Sequence, residues 1–446
     1  HIHKAIEFCF STDTDADHLI ENTNVGHGWV EGGHLFGSHT SLHLASLWGE
    51  ALHQSAYMAS LLKKEELADH YAYESKVVSE LIDTLFYNDS TRYYYHGLYQ
   101  DGSFLEEQTI MPAIPMYFGQ TTPEKAAPIL KEFASNAFSS DWGIRILKKE
   151  SDKFNPRGYH TGSVWPLFTG WTALAEYQYG NKVQGYTHIM NNLKIYQNWA
   201  KGYLEEVLNG AEYSPSGVCA HQCWSETMVL QPIVEGLIGF EPNAPEQKVK
   251  LHPAFPANWD HISIKNLRFD KNAFDFEMKR TKGKTTYWVR PKYQNEFSLD
   301  FNPLFPEGTQ ITEIRLNGKV LPSGEVMPQS FSELKLKLDI KGDYRIDVKH
   351  KHGIEVLPSV PNPKPGDAST GLRILDAKLL GNRYYMKLEA KPGSNNEILV
   401  YIADRMPVRF GNLQLLEIKG NIFRFKVLFD ENGEEYVEKE VNILLE

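Results

Sequence analysis

The chain has 446 residues, of which 41% are apolar and 23% charged, and its net charge is −11. This length and balance allow two or three domains with sizeable cores. The negative charge makes nucleic acid and anionic membranes poor partners, and the sequence has no run of about 18 apolar residues that would predict a membrane span. Three cysteines do not form a disulfide framework, and Cys219 with Cys223 does not make a zinc pattern.

The first 240 residues show the apolar spacing of amphipathic helices. Leu44, Leu47 and Ala51, for example, recur at helical intervals. The loops between these segments are long and rich in Gly, Trp and Tyr, which is typical of functional loops. The spacing predicts about seven helices, near residues 38–62, 66–86, 107–117, 123–133, 163–179, 182–199 and 224–237.

After Phe240 the helical spacing fades and short strands follow, which indicates an all-β region. Strands are predicted at 261–266, 285–289 and 344–348. Turns are predicted at Asn317-Gly318, Lys341-Gly342-Asp343, Gly420-Asn421 and Asn432-Gly433.

The segment LPSVPNPKPGDA, residues 357–368, contains four prolines and predicts a stiff linker. The chain is therefore expected to be a multidomain α plus β protein. The predicted domains are a helical domain at 1–240, a β-sandwich at 241–356 and a small β domain at 369–446.

A single carboxylate stands out in GHGWVEGG, residues Gly26 to Gly33, where Glu31 follows Trp29 among four glycines. Glycines allow a loop to approach a ligand closely. An apolar wall such as Trp29 favours the protonated form of a carboxyl group, which is then available for donation. The stretch alone is equally compatible with a glycine-rich turn that carries an exposed Glu.

A second loop, GYLEEVLNG, contains the adjacent residues Glu205 and Glu206. In extended chain their side chains point in opposite directions, so one is expected to face a site and the other solvent.

Two further loops precede predicted helices. In GYHTGSVWP, Pro166 suits a first helical turn, which leaves Tyr159, His160 and Trp165 at the start of that helix. The stretch HQCWSE, residues 221–226, has the same position before the next predicted helix. Each loop alone fits ordinary capping, but four such loops together favour a functional site.

Together these stretches resemble the glucosidase part of glycogen-debranching enzymes and related (α/α)6-barrel glycoside hydrolases. The resemblance covers roughly residues 20 to 240 and rests on GHGWVEGG, WGIRIL, GYHTGSVWPLFTG, GYLEEVLNG and CAHQCWSE in that order. The stretch LHPAFPANW resembles the start of the β-sandwich that often follows such barrels. The resemblance implies an (α/α)6-toroid-like helical domain followed by a β-sandwich. It does not extend to residues 369–446, where a second β-sandwich-like domain is expected from the strand pattern alone.

The resemblance also assigns roles. It implies that Glu31 is the general acid, although related debranching enzymes usually have Asp at this position. It implies that Glu206, four residues before Gly210, is the general base, with Glu205 the less favoured choice. The positions that match the walls of a substrate pocket are Trp29, Trp142, Tyr159, His160, Trp165, Gln222 and Trp224.

The function this implies is an inverting, exo-acting hydrolase of α-linked glucosides or oligosaccharides that needs no cofactor. An α-L-rhamnosidase-like hydrolase on the same barrel, a phosphorylase and a carbohydrate-binding protein without turnover stay open as alternatives. No metal is expected: His39 and His43 are spaced four apart and could chelate a metal on one helix face, but pocket lining or core packing is favoured.

Six helical hairpins need about twelve helices, and the sequence predicts about seven before the β region. The chain begins with His and shows no signal peptide. We therefore expect that a preceding part of the protein or a second chain completes the barrel. The compartment is left open, with a periplasmic or extracellular location favoured if an N-terminal part with an export signal has been removed.

Overall fold

The computed structural model describes residues 1–22, 28–199, 201–321, 334–432 and 435–446. These residues divide into two compact units. The first unit comprises residues 1–181, 188–230 and 361–369, and the second comprises 182–187, 231–360 and 370–446. Within the described residues, no helix is long and apolar enough to cross a membrane.

The described part of residues 1–240 contains eight α-helices and one π-helix, Pro232–Leu237. The α-helices are α1 (Ile2–Phe10), α2 (Leu42–Leu61), α3 (Glu65–Leu85), α4 (Ala113–Tyr117), α5 (Pro123–Ala134), α6 (Pro166–Gln178), α7 (Lys182–Ile195) and α8 (Cys223–Gln231). The idea that further chain completes a ring of twelve helices stays a prediction.

Helix ends follow local chemistry. The Ser41 side chain accepts a hydrogen bond from the backbone N–H of Leu44 and caps α2. Helices α5 and α6 begin with Pro123 and Pro166, because a first-turn residue needs no intrahelical N–H bond. These capping signals explain why the predicted helices lie close to the observed ones.

Three helix predictions need correction. The predicted helix over 107–117 begins only at Ala113, because Thr109 pairs with Leu147 in an extended bridge. The helix predicted over 163–179 begins at Pro166, because Val164 is extended and pairs with Leu208. Helix α7 ends at residue 195 instead of 199, and α1 was not predicted.

Seven two-residue strands lie among the helices: β1 (Thr40–Ser41), β2 (Tyr87–Asn88), β3 (Tyr93–Tyr94), β4 (Gly97–Leu98), β5 (Phe104–Leu105), β6 (Ser139–Ser140) and β7 (Gly143–Ile144). They pair the connecting segments of the first unit, and some of their residues, such as Tyr93, Leu98 and Ile144, join the helices in its core.

The second unit begins with a six-stranded and a four-stranded sheet, in the orders β10-β11-β12-β17-β14-β15 and β16-β13-β9-β8. Their strands are β8 (Phe240–Asn243), β9 (Lys248–Leu251), β10 (His261–Phe269), β11 (Asn272–Thr281), β12 (Lys284–Pro291), β13 (Phe297–Phe301), β14 (Gln310–Leu316), β15 (Lys319–Val320), β16 (Leu336–Ile340) and β17 (Tyr344–Lys351). All three predicted strands are present.

Rings join the two sheets into a sandwich. Phe274 of the six-stranded sheet stacks on Phe297 of the other at 5.5 Å between ring centroids, and Tyr287 contacts Phe301 at 5.0 Å. The predicted Asn317-Gly318 turn is confirmed: both residues have positive φ, 48° and 85°, as a two-residue hairpin between β14 and β15 requires.

Two more four-stranded sheets follow, in the orders β18-β21-β24-β23 and β19-β20-β25-β22. Their strands are β18 (Ile354–Val356), β19 (Arg373–Leu380), β20 (Arg383–Ala390), β21 (Asn395–Ile402), β22 (Pro407–Gly411), β23 (Gln414–Lys419), β24 (Ile422–Leu428) and β25 (Val437–Leu445). One apolar cluster contains residues of both sheets, including Phe425 and Ile443, as in a second sandwich.

Strand β18 and the end of the proline-rich segment make contacts that the predicted domain boundaries did not anticipate. Strand β18 precedes the proline-rich segment but pairs with β21, so it contributes to the C-terminal sheets. The end of the proline-rich segment is held against the first unit, because Tyr213 exchanges backbone hydrogen bonds with Gly366 and Asp367. The Gly420-Asn421 turn joins β23 to β24 as predicted, whereas Gly433 of the other predicted turn lies outside the described residues.

Candidate active site

Three of the loops singled out in the sequence meet in the first unit. Val164 of GYHTGSVWP and Leu208 of GYLEEVLNG exchange backbone hydrogen bonds of 2.8 and 2.9 Å. Arg145 of WGIRIL bridges Val164 from the other side. This short ladder fixes the loop that carries Glu206 beside the loop that carries Tyr159.

Two glycines allow the loops to approach so closely. A Cβ atom on Gly210 would lie 2.0 Å from the carbonyl oxygen of Gly162. A Cβ atom on Gly162 would lie 2.2 Å from the carbonyl oxygen of Asn155. Because these neighbours are backbone atoms, only glycine fits at both positions.

Arg145 also holds the loop GYLEEVLNG in place, a role that was not predicted from the sequence. Its side chain is buried and donates hydrogen bonds to the carbonyl oxygens of Gly210 (2.6 Å), Asn136 (3.0 Å) and Ser139 (2.9 Å). The available signal was a lone Arg in the apolar stretch WGIRIL, since a buried guanidinium needs several acceptors.

Glu206 is buried and held by side-chain donors. The Tyr159 hydroxyl donates a 2.8 Å hydrogen bond to Glu206 Oε1, and Gln222 Nε2 approaches the same oxygen at 3.4 Å. The backbone N–H of Glu206 donates to the carbonyl of Cys219 at 2.8 Å. The structure thus brings two of the predicted wall residues, Tyr159 and Gln222, to the carboxylate of Glu206.

Glu205 is also buried, which corrects the expectation that one of the adjacent acids faces solvent. Its Oε2 atom has no hydrogen-bond partner among the described residues. Burial raises the pKa of Glu205, so the neutral form is favoured more than in water. The hydrogen bond from the Tyr159 hydroxyl goes to Glu206, and this contact favours Glu206 over Glu205 as the base.

Glu31 lies beside His160, the residue that follows Tyr159 in the chain. Its Oε2 is 3.4 Å from His160 Nε2, and its side chain is 58% exposed, so Trp29 does not enclose the carboxylate as expected. Burial lowers the pKa of His160, although Glu31 and the backbone of Gly32 oppose this shift. His160 is therefore neutral near pH 7.

The hydroxyl group of Tyr159 interacts with both carboxylates. Burial raises the pKa of its hydroxyl, and the hydrogen bond and charge of Glu206 and the charge of Glu31 raise it further. Both acids therefore influence a single hydroxyl group. Glu206 is buried and accepts its hydrogen bond, whereas Glu31 is open to solvent. This pairing suits acid–base chemistry, in which one group donates a proton and the other accepts one.

Aromatic rings form one wall of this region. The centroid of Trp29 lies 4.8 Å from His160, 4.6 Å from Trp165 and 4.7 Å from Phe168. Trp165 donates from Nε1 to the carbonyl of Tyr159 at 2.9 Å, which links the wall to the residue that holds Glu206. Trp165 and Phe168 are fully buried in the core, so they support Trp29 and His160, which are partly exposed. A partly exposed aromatic ring next to carboxylates fits a ligand with both apolar and hydroxyl surfaces, such as a sugar.

The remaining predicted wall residues differ in exposure. Trp224 is 37% exposed and lies 6.5 Å from Trp165 between ring centroids, so its ring is accessible beside the wall. Trp142 is fully buried, stacks on Tyr213 at 5.4 Å and donates from Nε1 to the carbonyl of Asn209 at 2.9 Å. Trp142 thus packs behind the loop that carries Glu206 and hydrogen-bonds to it. Its contact with a substrate stays a prediction.

The pair His39 and His43 does not share a helix face. Helix α2 begins at residue 42, so His39 precedes it, and its Nε2 lies 3.0 Å from Asp15 Oδ2. His43 lies near Trp29, at 6.5 Å between ring centroids, and burial lowers its pKa to about 4. The idea of pocket lining or core packing fits His43 better than metal chelation with His39.

Comparison with known proteins also shows similarity to glycoside hydrolases. A family model described as "Mannosylglycerate hydrolase MGH1-like glycoside hydrolase domain" matches residues 17–225. No curated protein is similar enough to count as a relative.

Three solved structures show likeness at low identity. A sialidase is 14% identical with a TM-score of 0.56, over 75% of this chain and 30% of that chain. An α-L-rhamnosidase from Dictyoglumus thermophilum is 11% identical with a TM-score of 0.48, over 78% and 36% of the two chains. A GH63 mannosylglycerate hydrolase from Thermus thermophilus is 14% identical with a TM-score of 0.37, over 43% and 44%.

The chain thus spans 30% of the length of the sialidase, and that likeness shows the fold alone. The helical region followed by β-sandwich-like sheets is the architecture expected from the sequence. Every predicted site residue lies within the matched range. Residues 17–225, just under half of the chain, are therefore similar to a glycoside hydrolase domain.

Proposed function

We propose that the chain hydrolyses α-linked glucosides or oligosaccharides from their ends with inversion at the anomeric carbon. Glu31 is the general acid and Glu206 the general base. The observation that carries the proposal is the position of Tyr159, whose hydroxyl donates to Glu206 at 2.8 Å and also experiences the charge of Glu31.

The different surroundings of the two carboxylates support their roles. A general acid must reach the glycosidic oxygen of an arriving substrate, and Glu31 is the accessible one. A general base must hold a water molecule in fixed orientation, and Glu206 is buried and fixed by Tyr159 and Gln222. Inversion needs carboxyl groups about 6.5–9.5 Å apart, so that water fits between the sugar and the base.

Two similarities bear on which sugar the site binds. Resemblance to glycogen-debranching enzymes favours an α-glucoside, but Glu31 replaces their usual Asp and alters the reach of the proton donor. The description of the matching family model favours a mannoside of glyceric acid as a second candidate. Both candidates place a hexose between the two carboxylates, and they differ at the hydroxyl groups of the ring.

Hydrolysis of nitrophenyl glycosides tests the proposal, with α-glucoside, α-mannoside and α-L-rhamnoside compared with and without phosphate. Release from an α-hexoside without phosphate, with proton NMR showing the β-anomer first, is the expected result. Retention at the anomeric carbon would instead require a nucleophile about 5 Å from the acid and would overturn the role of Glu206. Turnover only of the rhamnoside, turnover only with phosphate, or saturable binding without turnover would select one of the three alternatives.

A further inference from the structure

The acid loop, GWVEGGHLF at residues 28–36, carries Glu31. We propose that His96 is a positioning residue for this acid: its imidazole holds the backbone of Leu35 and so fixes where the carboxylate of Glu31 meets the glycosidic oxygen. The inference rests on the function proposed above, in which Glu31 donates the proton.

One hydrogen bond joins His96 to the acid loop. The Nε2 atom of His96 lies 3.0 Å from the carbonyl oxygen of Leu35, and both residues are buried. Since a carbonyl oxygen can only accept, Nε2 carries the proton and donates it. The other ring nitrogen, Nδ1, lies 3.3 Å from the hydroxyl of Thr109, which can donate to it. The two contacts together fix the tautomer and the orientation of the ring.

The backbone of His96 is anchored as well. Its carbonyl oxygen accepts a 3.0 Å hydrogen bond from the N–H of Leu42, the first residue of α2. The next residue, Gly97, pairs with Ser41 in the ladder between β1 and β4. A Cβ atom on Gly97 would lie 2.6 Å from the carbonyl oxygen of Thr40, so β4 lies directly against the chain that leaves the acid loop. The imidazole therefore holds Leu35 from a fixed base.

The middle of the acid loop is open by contrast. The side chain of Glu31 is 58% exposed. A Cβ atom on Gly32 or Gly33 would meet no described atom within 4 Å, and Gly33 has a φ of 77°, which favours glycine. The position of the carboxylate therefore depends on how the two ends of the loop are held.

Each end of the acid loop has an anchor. On the N-terminal side the ring of Trp29 lies 4.6 Å from the ring of Trp165, which belongs to the core of the first unit. On the C-terminal side the anchor is the hydrogen bond from His96 to Leu35. Without the His96 donor the buried carbonyl of Leu35 loses its partner, which is costly, so this end of the loop would shift.

A shift of the acid loop should affect only those reactions that need the proton. A displacement of about 1 Å can cost about 10²-fold in rate when reacting groups must be aligned. A methyl glycoside needs protonation of its leaving oxygen, whereas dinitrophenolate leaves without a proton. Loss of a residue that positions the acid should therefore be selective for the methyl glycoside, and a general loss of structure should not be.

Leaving-group dependence tests the inference, with methyl and dinitrophenyl glycosides of the same sugar as substrates. His96→Leu removes the donor and should lower kcat on the methyl glycoside about 10–100-fold, but on the dinitrophenyl glycoside less than about threefold. His96→Gln should stay close to the wild type on both, because its amide N–H can donate to Leu35 in place of the ring. Val78→Ala, which truncates a fully buried residue of α3, is the matched control for lost packing and should show no dependence on the leaving group.

Thermal unfolding followed by circular dichroism shows whether each variant is folded. If His96→Leu does not fold, Thr109→Val replaces it, because loss of the hydroxyl frees the ring that holds Leu35 and should give the same selective loss. An equal loss on both glycosides in the folded variant would overturn the inference. So would a loss in His96→Gln as large as in His96→Leu, or a selective loss in Val78→Ala.

Glu31→Gln, measured on the same two glycosides, distinguishes a failure of this inference from a failure of the proposed function. A selective loss in Glu31→Gln without one in His96→Leu would reject the role of His96 alone. No selective loss in Glu31→Gln would reject Glu31 as the acid, and the positioning role of His96 with it.

Discussion

The hydroxyl of Tyr159 donates a 2.8 Å hydrogen bond to Glu206, while the next residue, His160, contacts Glu31 at 3.4 Å. Two consecutive side chains thus connect the two carboxylates assigned to proton transfer. The backbone ladder between Val164 and Leu208 maintains this relationship, because it fixes the distance between the loops that carry Tyr159 and Glu206.

Replacing the base should abolish turnover and spare binding. Glu206→Gln is expected to lower kcat by about 10²–10⁴-fold, because an amide cannot accept the proton of the attacking water. Sugar binding by calorimetry should change little. Glu205→Gln is the matched control, since the neighbouring acid is equally buried, and it should keep most of the activity. A reversed result, with Glu205→Gln inactive and Glu206→Gln active, would transfer the role to Glu205.

Replacing the acid should affect substrates according to their leaving groups. Glu31→Gln is expected to reduce hydrolysis of natural glycosides by about 10²–10⁴-fold, because the departing oxygen is no longer protonated. Dinitrophenyl glycosides, which leave without a proton, should retain much of their rate. Steady-state kinetics on both substrates gives the comparison, with the exposed Glu150→Gln as control. An equal loss on both substrates would argue against Glu31 as the acid.

Separating the loops should lower both stability and turnover. Gly210→Ala places a methyl group 2.0 Å from the carbonyl oxygen of Gly162, so the ladder must shift. The expected cost is about 1–3 kcal/mol in the free energy of unfolding, measured by denaturant titration, together with a fall in kcat. Gly37→Ala, whose added Cβ would meet Tyr99 at an ordinary 3.8 Å, should be nearly neutral. Wild-type stability in Gly210→Ala would show that the two loops do not depend on this close approach.

Acid should destabilise the first unit through buried histidines. Burial lowers the pKa of His96 to about 4, against about 6.5 in the unfolded chain. Between these values the unfolded state binds the proton first, so stability is present above about pH 6.5 and is lost as pH falls toward 4. The maximum loss is about 3 kcal/mol for this group, at 1.36 kcal/mol per pKa unit.

Thermal unfolding from pH 7.5 to 4.5 tests this dependence. His96→Gln should have a shallower decline of Tm with acid than the wild type, because it removes one titrating group. His53→Gln, at an exposed position of α2, should follow the wild-type curve. Parallel curves for wild type and His96→Gln would mean that other groups cause the acid sensitivity.

The sequence by itself determined the local features of this protein. Apolar spacing, capping residues and turn glycines act within a few residues, so the helices α2, α3, α5 and α6 and the Asn317-Gly318 hairpin could be predicted. The loop motifs also identified the residues around Tyr159 and Glu206, because the chemistry of a site requires particular side chains.

Only the tertiary structure decided which side chains meet. The pairing of Val164 with Leu208 places Glu206, and not Glu205, against the Tyr159 hydroxyl, and Arg145 becomes a support because its acceptors come from distant segments. Such contacts depend on long-range packing and on desolvation, which act between segments far apart in the chain and leave no periodic signal in the sequence.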